Sequence, residues 1–408
     1  MFFFVFVFFI LENILENIFP ILTYSDEFIA IISIFGIIFL RPIFVINKNE
    51  LKILISIVIV VFIGVLGNYI YPFQKSFVAI SKDLLALIKF FAVYLFFTIR
   101  FKDGVTKRNL KLVEIFSSCY CYILFFFGVI SQIFDIGMTN PGRIFNLKAF
   151  LFLYTHETFI VSAVVTMLSV LISCGVKKNR YSILAGIVVL LLSQRSKSIV
   201  FIVMFIGMYL FLYKKNDIKK YLKKYKIKII SVLICCSSVI LYLTWYKIDL
   251  YISYGMTAAR PALYIVSSQI MIDLFPLGSG FATFASYLSV AYDSPIYQLY
   301  NIANVSGLSP EDNYAYVSDT YWPYIIAEFG IIGTIIYFYS LVLVLKNSLI
   351  LCSRNKNSLI ALISLFSYVI FACFVESYLT NATVILFSIT IGYLLNPKEE
   401  IRNDKDKV

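Results

Sequence analysis

From Phe2 to Asn396 the sequence is a near-unbroken succession of apolar stretches separated by polar breaks, and most of the stretches are as long as a membrane crossing. About 20 apolar residues in a helix span the roughly 30 Å of hydrocarbon in a bilayer. Apolar residues make up 61% of the chain and charged residues 14%, against about 45–50% and 25% in soluble domains. Mean hydropathy is +0.88. The pattern predicts an all-α polytopic membrane protein, a single integral membrane domain over 1–408. Twelve transmembrane helices are expected, near 2–20, 28–46, 51–71, 78–99, 112–134, 149–173, 181–193, 198–213, 229–247, 321–345, 358–375 and 378–396. The first carries Glu12 and Glu16 at helical spacing, and charge at mid-bilayer costs at least a few kcal/mol, so partial interfacial placement stays open there. The seventh stops short at Gln194-Arg195, and a re-entrant hairpin is its alternative.

Charge then orients the spans. Lys and Arg concentrate in 47–52, 100–111, 174–180, 213–228, 346–357 and the tail after Pro397, with eight lysines between Lys214 and Lys228 against one acid, Asp217. These loops alternate with the remainder, so the positive-inside rule puts them and both termini in the cytoplasm. Between Ile248 and Thr320 one base, Arg260, meets six acids, Asp249, Asp273, Asp293, Glu311, Asp312 and Asp319. This long loop, about 248–320, is expected outside, periplasmic or extracellular. The formal charge of +12 therefore reads as an orientation signal toward membrane lipid, with no nucleic acid as partner.

Several classes are disfavoured. No cysteine lies in the long loop, so no disulfide framework is expected there. The N-terminus lacks a basic n-region and a small-residue cleavage site, so the first segment is expected to stay in the mature protein. Neither a repeat of 20–50 residues nor a linker divides the chain. No Asp-x-Asp pair or His/Asp/Glu cluster is placed to hold a divalent metal and a nucleotide-sugar diphosphate, and no Walker-type loop is present. Neither a metal nor another cofactor is expected, and energy for chemistry has to come with the substrate.

Polar groups at the membrane boundary carry the remaining signal. Three external arginines need an explanation: Arg143 in Asn140-Pro141-Gly142-Arg143, Arg195 in the turn from Ser193 to Lys197, and Arg260 ahead of Pro261. Guanidinium binds diphosphate through forked hydrogen bonds that ammonium cannot match, though each arginine could also snorkel or pair with an acid. Pro261 suits the first turn of a helix, and 262–274 is too densely apolar for a wholly solvated one, so an interfacial helix is expected there. Phe275-Pro-Leu-Gly278-Ser-Gly280 ends it, the glycines serving as turn residues or letting backbone approach a ligand. Asp319 suits a general base or a helix cap, with Tyr321 and Trp322 as interfacial anchors. Glu328 lies deeper and is expected to pair with an arginine or a hydroxyl, with Gly330 and Gly333 allowing close helix contact. His156, the only histidine, falls early in the sixth span, suited to shuttle a proton or to make a structural hydrogen bond.

Ser193-Gln-Arg195-Ser, Arg260 with the turn at 275–280, and Asp319-Thr-Tyr-Trp before Glu328-Phe-Gly330-Ile-Ile-Gly333 together resemble the O-antigen and capsular polysaccharide polymerases (Wzy type). These share a superfamily with the O-antigen ligases. The architecture covers nearly the whole chain, the motifs about a quarter of it. The resemblance implies a glycosyltransferase of lipopolysaccharide or capsule biosynthesis in the bacterial inner membrane. It implies undecaprenyl-diphosphate-linked oligosaccharide as substrate, and a chain-length regulator and a flippase as partners. Arg195 and Arg260 carry over as diphosphate ligands, with Arg143 a third. Catalysis falls to Asp319, Glu328 and Arg260, with His156, Tyr321, Gly278 and Gly280 as further candidates. The ligases place a histidine where this chain has Asp319, a departure toward polymerase. An O-antigen ligase and a lipid-linked oligosaccharide flippase are the alternatives.

Overall fold

In hydrocarbon a chain has no water to satisfy its backbone, and the local solution is the helix. A computed structural model describes residues 2–39, 46–101, 105–142, 147–212, 226–353 and 355–395. Arg143, the lysines from Lys214 to Lys224 and the tail after Pro397 lie outside the described residues. The protein is 75% helical, and each apolar run contains a helix. These are α1 (Phe2–Glu16), α2 (Ser25–Phe39), α3 (Lys48–Ile70), α4 (Phe77–Arg100), α5 (Lys107–Ile133), α6 (Glu157–Gly175), α7 (Arg180–Leu192), α8 (Ser196–Leu212) and α9 (Lys226–Tyr254). After α10 (Ala259–Asp273) and the short α11 (Tyr287–Ala291) and α12 (Ile296–Leu299) come α13 (Trp322–Cys352), α14 (Lys356–Ala372) and α15 (Val384–Ile389). Five helical segments, Pro20–Phe39, α3, α5, α6 and α13, are long and apolar enough to cross a membrane. Among the described residues the only strands are β1 (Thr139–Asn140) and β2 (Ala149–Phe150), paired antiparallel.

Side-chain caps start several helices where the sequence turns apolar. Asn47 and Glu50 form a capping box on α3, and Ser76, Thr106 and Asn355 cap α4, α5 and α14. At the centre, α14 packs on α6 and α8, α13 on α3 and α10, and α5 on α6 and α7. α6 and α14 are buried along most of their length. Outer helices keep apolar side chains such as Phe28, Phe39, Leu241 and Trp245 exposed, which lipid accepts as readily as protein does.

Three runs depart from the expected spans. The sixth becomes helical only at Glu157, because 149–156 is a short strand followed by a turn and bends, pinned there as Thr155 donates its N–H and hydroxyl to Asn13 Oδ1 (3.0 and 2.9 Å) and the Tyr154 hydroxyl donates to the Ile10 carbonyl. The last is helical only from Val384. The tenth is broken inside, at Gly330 (φ 58°, ψ −163°).

The segment 248–320 is not an open loop. α9 runs on to Tyr254, and α10 packs on α13, burying Ala262, Leu263, Val266 and Ile270. The dense apolar pattern of 262–274 thus has packing on protein as one cause. Phe281, Phe284, Ile296, Tyr297, Ile302 and Leu308 are buried as well, so this segment folds down as a packed cap. Its backbone groups find partners in short turns and in side chains from the helices below.

Candidate functional site

Six charged side chains meet where α6, α8 and α13 begin and α14 ends. Arg195 precedes α8, after a turn in which Gln194 has φ 55° and donates Nε2 to the Leu147 carbonyl at 2.7 Å. Its Nη2 donates to Glu157 Oε2 at 2.5 Å and lies 2.8 Å from His156 Nε2. Glu157 Oε1 accepts from Asn140 at 2.8 Å. In the first turn of α8, Lys197 Nζ donates to both oxygens of Glu376, at 2.6 and 2.5 Å, and its side chain is 3% exposed.

Arg260, in the first turn of α10, donates through Nη2 to Asp319 Oδ2 at 2.9 Å and to the Val375 carbonyl at 3.5 Å. Its Nη1 donates to the Tyr251 hydroxyl, and its guanidinium lies 5.5 Å from the centre of that ring. Buried Nε has no partner among the described residues. Arg195 and Arg260 remain 18% and 26% exposed, so both can still be reached.

Asp319 does not cap α13; that position is Tyr321, which makes no side-chain cap. The backbone around Asp319 is instead tied to the end of α14. Ser377 donates its N–H and hydroxyl to the Ser318 carbonyl, and Tyr321 N–H donates to the Cys373 carbonyl. Burial pushes the Asp319 carboxyl above its ordinary range; the charge and hydrogen bond of Arg260 pull it back, with Glu376 adding to the rise and Arg195 opposing it. Among the three carboxylates of the network it is the most exposed, at 32%, and only its Oδ2 is bonded among the described residues.

The other sequence candidates fall elsewhere. His156 is the N-cap of α6 rather than part of the span, half-exposed, with Nδ1 3.0 Å from the Thr158 hydroxyl. Tyr321 and Trp322 do not anchor at an interface: both are buried, the Tyr321 hydroxyl 2.5 Å from that of Tyr337 and Trp322 stacked on Phe338. Their partners come from α13 itself and from Cys373 and Phe374 just after α14.

Among the described residues Glu328 has neither an arginine nor a hydroxyl partner. Its Oε1 accepts from the backbone N–H of Thr283 (2.8 Å) and Phe284 (3.0 Å), and its carboxyl meets that of Asp83. Asp83 Oδ2 accepts from Ala282 N–H at 2.8 Å and from the Tyr324 hydroxyl. Asn68 brackets Phe281, accepting from its N–H and donating to its carbonyl. The turn at 278–284 is thereby inserted beside the break in α13, where Ser279 and Gly280 donate to the carbonyls of Ala327 and Glu328. Gly278 and Gly280 approach helix backbone here. A Cβ on Gly280 (φ 86°) would sit 2.4 Å from Asn68 N, and one on Gly278 would sit 2.5 Å from the Glu328 carbonyl.

Lys197, Glu376 and Tyr251 are network members that sequence reasoning passed over. Glu376 did leave a signal, as the one acid in the apolar sequence between Lys356 and Pro397. The chain matches no known protein-family model and no curated protein. What fold and composition define is a class: an all-helical protein with apolar helices suited to a membrane.

Proposed function

We propose that this protein is a polysaccharide polymerase that joins undecaprenyl-diphosphate-linked repeat units at the outer face of the bacterial inner membrane, crossing it twelve times with both termini in the cytoplasm. The observation that carries the reading is the convergence of Arg195, Arg260 and Asp319, residues far apart in sequence, in one charged network at one end of the helices. Arg195 and Arg260 hold the diphosphate of the donor, each keeping N–H donors that no described residue uses. The anomeric C–O bond breaks with its electron pair passing to the diphosphate, whose growing charge the two guanidiniums stabilise. The non-reducing-end hydroxyl of a second lipid-linked repeat bonds to that carbon, and its proton passes to Asp319, which releases it to water. Glu328 has no part in this scheme, since its carboxyl is fully buried and committed to backbone N–H groups.

The test is to analyse surface glycan and lipid-linked intermediates from cells lacking the protein. Carrier or lipid bearing a single repeat unit is the expected result. Long polymer stranded on undecaprenyl diphosphate would overturn the reading in favour of a ligase, and single repeats trapped on the cytoplasmic face in favour of a flippase.

A further inference from the structure

We infer that Lys197 and Glu376 are positioning residues for this site: the pair fixes the turn after α14, and that turn sets where Asp319 and Arg260 stand. The inference rests on the functional reading only in its claim about turnover.

Lys197 itself is closed to any ligand, at 3% exposed, and Glu376 is 13% exposed. Both Glu376 oxygens are held by one ammonium, so neither residue is suited to binding substrate or taking a proton from it. The neighbours of Glu376 on either side face the reactive pair. Val375 offers its carbonyl to Arg260, and Ser377 donates to the carbonyls of Ser318 and Thr320, which flank Asp319. A three-residue turn is thus pinned at its middle by Lys197 from α8, while its two ends hold Arg260 and the backbone of Asp319. Without the pin, both ends are free to move together.

The charge of Glu376 also reaches Asp319. The charges acting on Asp319 are Arg260 from α10, Arg195 just before α8 and Glu376 from the turn after α14, with Lys197 of α8 bonded to Glu376. Beyond them lie Tyr251 of α9 against Arg260, and His156 and Glu157 of α6 against Arg195. Glu376 is the negative group among them whose field adds to the rise at Asp319.

The experiment uses the full-length protein in lipid nanodiscs, with infrared titration of the Asp319 carboxyl, its band assigned by loss in Asp319→Asn. Glu376→Gln keeps the shape and an acceptor for Lys197. The double variant Lys197→Met/Glu376→Gln leaves no lone buried charge, so it guards against simple misfolding. Glu376→Gln is expected to lower the Asp319 midpoint, because it removes a carboxylate whose field raises it, and the double variant, which also removes the Lys197 ammonium, to lower it less. Turnover is expected to fall roughly 10- to 100-fold with the KM for lipid-linked donor little changed. An unmoved midpoint in both variants overturns the inference, as does a moved midpoint with turnover unaffected. If the wild-type protein transfers no glycan while the midpoint still moves, the functional reading fails and the coupling of Glu376 to Asp319 stands.

Discussion

Two regions of this protein bury carboxylates in apolar surroundings, and they do it by opposite means. Beneath the turn at 278–284, Asp83 and Glu328 are 2% and 0% exposed and are matched mainly with neutral donors, the N–H groups of Ala282, Thr283 and Phe284. At the ends of α6, α8 and α13, Glu157, Asp319 and Glu376 are matched with cations that remain partly reachable at Arg195 and Arg260. The first arrangement answers a backbone need. Non-helical backbone at membrane depth is tolerated where protein satisfies it, and carboxyl oxygens supply acceptors that no helix can. The second answers no such need. A buried ion pair is often no more stabilising than apolar residues of the same size, so stability alone gives no reason for cations and carboxylates to be gathered there. We read the first region as a seal and the second as the candidate site.

The sharpest way to break that comparison is Glu328→Leu. Two buried N–H groups lose their acceptor, each costing about 1–3 kcal/mol, and Asp83 loses the carboxyl it touches. A large loss of folded protein is expected, read as a collapse of the monodisperse peak in detergent gel filtration. Glu328→Gln keeps an acceptor oxygen and is expected to be milder. Glu328→Leu protein that folds normally but makes no polymer would move Glu328 from the seal into the site.

Next in size is the opposite pattern at Arg260 and Arg195. Alanine at either position is expected to lower glycan transfer by roughly 10²–10³-fold, the usual cost of removing one stabiliser of developing charge, while protein remains in the membrane. Lysine is expected to rescue little, since ammonium lacks the fork. A normal polymer ladder from both alanine variants would dissolve the distinction between the regions.

Much of this layout was legible in the sequence, unevenly. Apolar runs marked the long helices, because length and hydropathy are local properties, but not the short α11 and α12 inside the segment read as loop. Arg195, Arg260 and Asp319 stood out because charge is rare in such a chain. Their partners were not legible: that Glu376 meets Lys197 across 179 residues depends on how α8 and α14 pack. The break at Gly330 was hidden for the same reason, since nothing in Glu328-Phe-Gly330-Ile announces that Leu277 will press against it, its carbonyl 2.0 Å from where a Cβ would lie. The burial of Tyr321 and Trp322 likewise followed from packing against Tyr337, Phe338 and Phe374 that sequence alone does not show.

A smaller effect concerns acid. The folded-state pKa of Asp319 is raised above the ordinary 3.8, so the protein takes up this proton at a higher pH than its unfolded chain does. The stability linked to Asp319 is therefore full below 3.8 and is lost as pH rises through the raised value. Asp319→Asn is expected to melt no lower than wild type at neutral pH, while losing transfer. In the wild type the acid limb of the rate profile is expected above 3.8, rate falling as Asp319 protonates. A limb at or below the ordinary value would remove Asp319 from the role of base.

The smallest predicted effect is the most diagnostic within the site. His156 touches Arg195 from the half-exposed N-cap of α6, and Glu157 and Asn140 hold that corner independently. His156→Ala is expected to cost about 1 kcal/mol of stability, as loss of an N-cap does, and to lower transfer only a few-fold, because Arg195 keeps Glu157. His156→Asn should recover the cap, asparagine being a good N-cap residue. Transfer falling as far in His156→Ala as in Arg195→Ala, and staying down in His156→Asn, would mean that the proton leaves through the imidazole. The base would then sit on α6 beside Arg195, and the Arg260–Asp319 pair would serve only to hold diphosphate.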